Sequence, residues 1–259
     1  MNEPTSTSRA IELEVDVPGT VEEVWRAIAT GPGISSWYVP HVVEERAGGA
    51  ALASFGDAPE MQIPGKVVAW DPPRRVVFTA AEDSDFAFEW LVEARDGGSC
   101  VVRLVNSGFG EGGDWDGQYD AMTEGWQLFL FNLQLHCRHF LGQQAVSMLP
   151  MAQTSMAKDD AWAKVRGNLG LVSTAAVGDR VSLEAEADLG LTGSVVRTTA
   201  TGIALLLEAP APGTAFVAVE GGDEGGTISA WTYLYGPDGP AIVERDKPRW
   251  QAWLTAVAG

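Results

Sequence analysis

From Gly117 to Gln143 the chain reads GQYDAMTEGWQLFLFNLQLHCRHFLGQ, without a proline. At about 100° per residue, Met122, Trp126, Phe129, Leu130, Leu133, Cys137, Phe140 and Leu141 fall on one face of a helix. A stripe this wide and this aromatic needs a sheet to lie against. The segments before it supply one. Ile11 to Val17, IELEVDV, alternates apolar and acidic residues, the period of a half-buried strand. Pro18-Gly19 ends it. Thr20-Val-Glu-Glu23 fits a capping box for a short amphipathic helix carrying Val21, Val24, Trp25 and Ile28.

After the break at Gly31-Pro32-Gly33 and a short turn with Ile34, Trp37 and Tyr38, six strand signals follow: 41–46, 50–55, 65–70, 75–79, 86–94 and 100–106. Turn residues separate them, among them Gly48-Gly49, Asp71-Pro72-Pro73 and Asp96-Gly97-Gly98. Consecutive strands joined by tight turns form an antiparallel meander. The expected fold class is α+β: a helix-grip fold, an antiparallel curved sheet wrapped around a long C-terminal helix. Gly108 to Gly113 reads as a loop entering that helix.

From Val146 to Thr154 the periodicity lapses around Pro150, and a domain boundary is expected there: domains 1–146 and 155–259. In the second half, Asp159-Asp-Ala-Trp162 resembles Glu22-Glu-Val-Trp25, and Gly193-Ser-Val-Val resembles Gly65-Lys-Val-Val. Strand signals at 180–187, 203–209, 216–220 and 227–235, then a helix over 246–257, repeat the order of the first half. They predict a reduced second copy with no first strand, a helix about half as long and no cavity.

The net charge is −18. It opposes a nucleic-acid backbone or an anionic membrane surface as partner. MNEPTSTSRA lacks the pattern of a signal peptide, and no apolar run is long enough to span a bilayer. The expectation is a cytoplasmic protein without membrane insertion. Cys100 and Cys137 sit in apolar contexts and read as buried free thiols.

Several pieces occur in a family-like order over residues 9–145: IELEVDVPGTVEEVWRAI, Trp37-Tyr38, Gly48-Gly49, Gly65-Lys-Val with DPPRRVVFT, the Asp96-Gly97-Gly98 hairpin, Asn106-Ser-Gly-Phe109 and Gly125-Trp126. On these the first half resembles the SRPBCC, or START-like, superfamily, and within it the branch related to the activator of the ninety-kilodalton heat-shock-protein ATPase. The resemblance implies a cavity between sheet and long helix that holds an apolar small molecule such as a lipid, polyketide or aromatic. Members also act as co-chaperones and as polyketide cyclases or aromatases, so a chaperone or other protein partner and a cyclase activity are the alternatives.

The candidate ligand-binding residues are Trp37, Tyr38, Phe55, Met61, Trp70, Phe78, Phe88, Trp90, Trp126, Phe129, Leu130 and Leu133. An entrance is expected near Trp37, Tyr38, Met61 and the Gly108–Gly113 loop. A cyclase would draw on His41, Glu89, Arg103, Gln134 or His136. His136 and His139 are three apart, but no carboxylate sits at a matching helical position to complete a metal site. The acid-rich loop Glu111 to Asp116 is explained by helix capping, since carboxylates are favoured at a helix N-terminus. No nucleophile elbow, phosphate-binding loop, CxxC pair or dinucleotide fingerprint is present. The reading is a binding protein without catalytic residues, metal or cofactor.

Overall fold

A computed structural model of the chain describes residues 9–80, 86–109, 113–171, 175–222 and 224–259. These fall into two units, Met1–Gly142 and Gln143–Gly259. In the first, β1 (Arg9–Pro18) buries Ile11 and Val17 while Glu12, Glu14 and Asp16 stay exposed, as alternation requires. The remaining strands are β2 (His41–Val43), β3 (Ala50–Ser54), β4 (Gln62–Asp71), β5 (Arg75–Thr79), β6 (Ala87–Arg95) and β7 (Ser99–Phe109). All pair antiparallel in the order β1-β7-β6-β5-β4-β3-β2. Gly97 and Gly98 turn β6 into β7 with φ of +80° and +76°, a left-handed pair that side chains with a Cβ resist.

Between β1 and β2 lie α1 (Val21–Ala29) and α2 (Gly31–Ser35). The capping box of α1 forms: the Glu23 amide donates to Thr20 Oγ1 at 3.3 Å and the Thr20 amide donates to Glu23 Oε2 at 2.9 Å. The long helix α3 spans Gly113–His139. It begins four residues before the expected start and closes four before the expected end. Gly142, with φ +79°, lies just past its end and turns the chain away. The expected loop at 108–113 is partly strand, because β7 continues through Phe109. One apolar core joins Ile11 and Val17, α1, Val102 and Leu104 of β7, and Trp126, Leu130, Leu133 and Cys137 of α3. This is the α+β helix-grip arrangement.

The second unit has a seven-stranded antiparallel sheet of its own. Its strands are β8 (Ala145–Met148), β9 (Met151–Thr154), β10 (Arg180–Glu186), β11 (Leu189–Thr199), β12 (Gly202–Ala209), β13 (Gly213–Gly222) and β14 (Gly225–Tyr235), with helices α4 (Lys158–Asn168) and α5 (Gly239–Ala258). Two expectations are corrected here. The stretch 146–154 is no linker. It forms β8 and β9, split at Pro150 and both paired to β14, so the missing first strand is present in two pieces. The last helix covers 20 residues, not twelve. Pro248 lies inside it, and Pro240 is the proline of its first turn. Trp162 and Val165 of α4 and Trp250, Trp253 and Leu254 of α5 share a core with Leu183, Leu191, Leu205, Val217 and Ile228.

Leu133 has no exposed surface and sits in the first core. Leu133→Ala is expected to lower unfolding stability by about 2–5 kcal/mol. Urea denaturation checks this, and a loss below about 1 kcal/mol contradicts the packing described.

Candidate ligand cavity

Three side chains fix α3 relative to the sheet. The Tyr119 hydroxyl donates to the Ala10 carbonyl at 3.1 Å, and Gln134 Nε2 donates to the Asp16 carbonyl at 3.0 Å. The strand between those anchors advances about 20 Å at ~3.3 Å per residue, and the helix about 22 Å at ~1.5 Å. The helix therefore runs alongside β1 in the same direction. Between these anchors, buried Asn132 Nδ2 donates to the Trp37 carbonyl at 2.8 Å, and the Trp37 indole donates to the Ala27 carbonyl at 2.9 Å. These bonds hold α3 at the β1 edge and at the corner after α2. Its other flank stands over β3 to β6.

Beneath that flank is a cavity of about 340 Å³. The helix contributes Ala121, Met122, Gly125, Trp126 and Phe129. The sheet and its turns contribute Ala51, Leu52, Ala53, Phe55, Ile63, Pro64, Gly65, Phe78, Thr79, Ala80, Phe86, Phe88 and Trp90. The first helices and the turn after them add Ile28, Ile34, Trp37, Tyr38 and His41. None of these is Asp, Glu, Lys or Arg. Tyr38 is the hub of the aromatic wall, with ring centroids 4.4 Å from Phe129, 5.0 Å from Trp126, 5.8 Å from Trp37 and 6.0 Å from Phe55. Trp126 also meets Trp90 at 5.5 Å and Phe88 at 5.6 Å, edge to face. Such pairs contribute about 0.5–1.5 kcal/mol each beyond burial. The Trp126 indole donates to Asn106 Oδ1 at 3.2 Å, and Asn106 Nδ2 donates to the Ala87 carbonyl at 3.1 Å. The polar edges of Trp37 and Trp126 are thus satisfied within the protein.

Eight of the twelve sequence candidates line this space: Trp37, Tyr38, Phe55, Phe78, Phe88, Trp90, Trp126 and Phe129. Four lie outside it. Leu130 and Leu133 belong to the adjoining helical row, which packs into the core with Cys137. Trp70 follows a bulge in β4 between Val67 and Ala69 and packs edge-on against Trp25 of α1 at 5.1 Å. Met61 closes over Gly56, where an added Cβ would come within 2.5 Å of its sulfur. The lining also includes residues outside the candidate set. Ile28, Ile34 and Met122 carry the apolar spacing of their helices. The alanines, Gly65 and Gly125 carry no periodic signal at all.

Of the five polar residues considered for a cyclase, one, His41, reaches the cavity. Glu89 pairs with Arg75, Arg103 with Glu14, and Gln134 is committed to Asp16. His136 is buried outside the lining. The expected entrance at 108–113 and the acid-rich loop 111–116 fall largely outside the described residues and side chains. Among the described residues no group of three His, Cys, Asp or Glu could hold a metal ion, and no helix is long and apolar enough to cross a membrane. Cys100 and Cys137 are free and buried. Burial first, then Cys100 and Glu23 nearby, push the Cys137 thiol up to about 12, which leaves it protonated and inert.

His41 Nδ1 lies 2.7 Å from the Val39 carbonyl. Burial in apolar surroundings lowers its pKa to about 4, against the opposing effect of that hydrogen bond. The neutral ring therefore donates from Nδ1 and presents Nε2 as an acceptor. Burial also lowers His136 to about 4. In the unfolded chain both titrate near 6.5. Between about pH 6.5 and 4 the unfolded state then binds more protons. The stability gained by burying neutral rings is complete above that window and is lost as pH falls through it. In NMR titration both imidazoles are expected to show midpoints near 4. A midpoint at or above 6.5 for His41 contradicts the apolar setting described. Separately, Asn132→Ala leaves the buried Trp37 carbonyl without this donor and is expected to cost about 1–3 kcal/mol, read from urea unfolding.

Comparisons with known proteins place the chain. Residues 18–136 match the family model described as activator of Hsp90 ATPase homolog 1-like protein. No curated protein matches the sequence. Among solved structures, protein MLL2253 from Mesorhizobium loti is 19% identical, with 51% of this chain and 98% of that one covered at a TM-score of 0.43. The Aha1 dimer from Colwellia psychrerythraea is 16% identical, covering 51% and 97%, TM-score 0.42. The di-domain ARO/CYC BexL from the BE-7585A biosynthetic pathway is 15% identical, covering 96% and 98%, TM-score 0.46. The family match thus covers most of the first unit, and the motifs and helix-grip fold of that unit agree with it.

Proposed function

We propose that the first unit binds an apolar small molecule in the cavity beneath α3. The observation that carries this reading is an aromatic-walled space of about 340 Å³ with no Asp, Glu, Lys or Arg among the described residues of its lining. That volume falls within the range of small-molecule sites. Gly125 supports the reading. A glycine inside a helix is about 1 kcal/mol less favourable than alanine. A Cβ built there meets no atom within 4 Å, so no neighbouring side chain requires its absence. The gap it leaves opens onto the cavity. Binding is favoured over a cyclisation reaction because only His41, of the polar residues a cyclase would draw on, reaches the lining.

Gly125→Ala is expected to raise unfolding stability by about 0.5–1 kcal/mol. Gly125→Leu is expected to fill the cavity and abolish binding of the neutral fluorophore N-phenyl-1-naphthylamine while the protein stays folded. Wild-type protein should show saturable, one-to-one enhancement of that probe. No saturable enhancement, or equal enhancement in Gly125→Leu, contradicts the proposal.

A further inference from the structure

The cavity is not uniformly apolar, and its few polar atoms limit what it can hold. The Tyr38 hydroxyl makes no hydrogen bond among the described residues. Tyr38 is half-buried, and desolvation raises its pKa above the ordinary phenol value, so the hydroxyl is protonated. Yet it is not among the buried atoms sealed off without a partner. It therefore faces free space, and the space its residue lines is the cavity. The neighbouring His41 ring, with centroids 5.5 Å apart, commits Nδ1 to Val39 and leaves Nε2 as an acceptor. One wall thus offers a hydroxyl that can donate or accept, and a lone pair that can only accept. Among the described residues no Lys or Arg lines the space to compensate an anion, and the chain's net charge of −18 adds to that exclusion.

We infer that the ligand is an uncharged, largely aromatic molecule bearing a hydroxyl group, which hydrogen-bonds to Tyr38 with His41 Nε2 as a second acceptor. A carboxylate of the same shape is rejected: it meets a lone pair where it needs a donor, and it forfeits its hydration without a counter-charge. An unsubstituted hydrocarbon enters but leaves the Tyr38 hydroxyl unpaired. Face-to-edge contact with Phe88, Trp90, Trp126 and Phe129 suits planar rings. This inference rests on the binding function proposed above and narrows it to one ligand class.

Three probes of one shape test it: naphthalene, 2-naphthol and 2-naphthoate, titrated calorimetrically into the full chain at neutral pH, where the naphthol is uncharged and the naphthoate ionised. The expected order is naphthol about three- to tenfold tighter than naphthalene, and naphthoate at least about tenfold weaker than naphthol. In Tyr38→Phe the ratio of naphthol to naphthalene affinity is expected to fall to about one, and an unchanged far-ultraviolet circular dichroism spectrum shows that the variant is folded. Naphthoate binding as tightly as naphthol overturns the inference, as does a naphthol preference that survives Tyr38→Phe. Failure of both neutral probes to bind overturns the binding function itself. Naphthalene binding without a naphthol preference overturns only the ligand class.

Discussion

The first unit depends on how α3 is held. Tyr119 and Gln134 fasten it to the backbone of β1, and Asn132 fastens it to the Trp37 carbonyl. A helix fixed along one edge of a seven-stranded sheet can pack closely on that side only. Leu130, Leu133 and Cys137 fill the near side. On the far side, Met122, Gly125, Trp126 and Phe129 face β3 to β6 across a gap. The anchors are side chain-to-backbone bonds, each contributing about 0.5–1.5 kcal/mol net, but the buried one at Trp37 costs more to leave unmade.

Such a gap is expensive. A space of about 340 Å³ beneath the helix forfeits packing contacts that a filled interior would make. Larger side chains would recover part of this. The walls instead carry Ala51, Ala53, Ala80, Ala121 and Gly125. At Gly65 the small residue has a structural cause, since an added Cβ would lie 2.4 Å from the Thr79 carbonyl oxygen. At Gly125 no such cause exists. The aromatic side chains are held by one another, and the Trp37 and Trp126 indoles hydrogen-bond within the protein. The wall is therefore preorganised before any ligand arrives, which reduces the ordering cost of binding.

Much of this was legible in the sequence. Alternation in β1, the capping box at Thr20, the Asp96-Gly97-Gly98 turn and the α3 stripe from Met122 to Cys137 each encode local geometry and occur where the pattern puts them, while Phe140 and Leu141 of that stripe lie past the helix end. Other features depend on quantities that no periodicity carries. Which row of the stripe meets the cavity depends on the lateral placement of α3. That separates Trp126 and Phe129 from Leu130 and Leu133. Trp70 shares the inner face with Val76 and Trp90 but lies against Trp25 of α1, outside the lining. Strands β8 and β9 have four residues each around Pro150, too short for alternation to show. Gly125 stands in the sequence as part of a Gly-Trp pair, but its open side appears only once the helix is placed.

The central claim is that real, ligand-sized space lies between α3 and β3 to β6. Xenon occupies apolar cavities without needing a chemically matched ligand. Crystals of the full chain under xenon pressure are expected to show xenon enclosed by Tyr38, Phe78, Phe88, Gly125, Trp126 and Phe129. Side chains closed into that space, with no xenon bound there, would contradict the account.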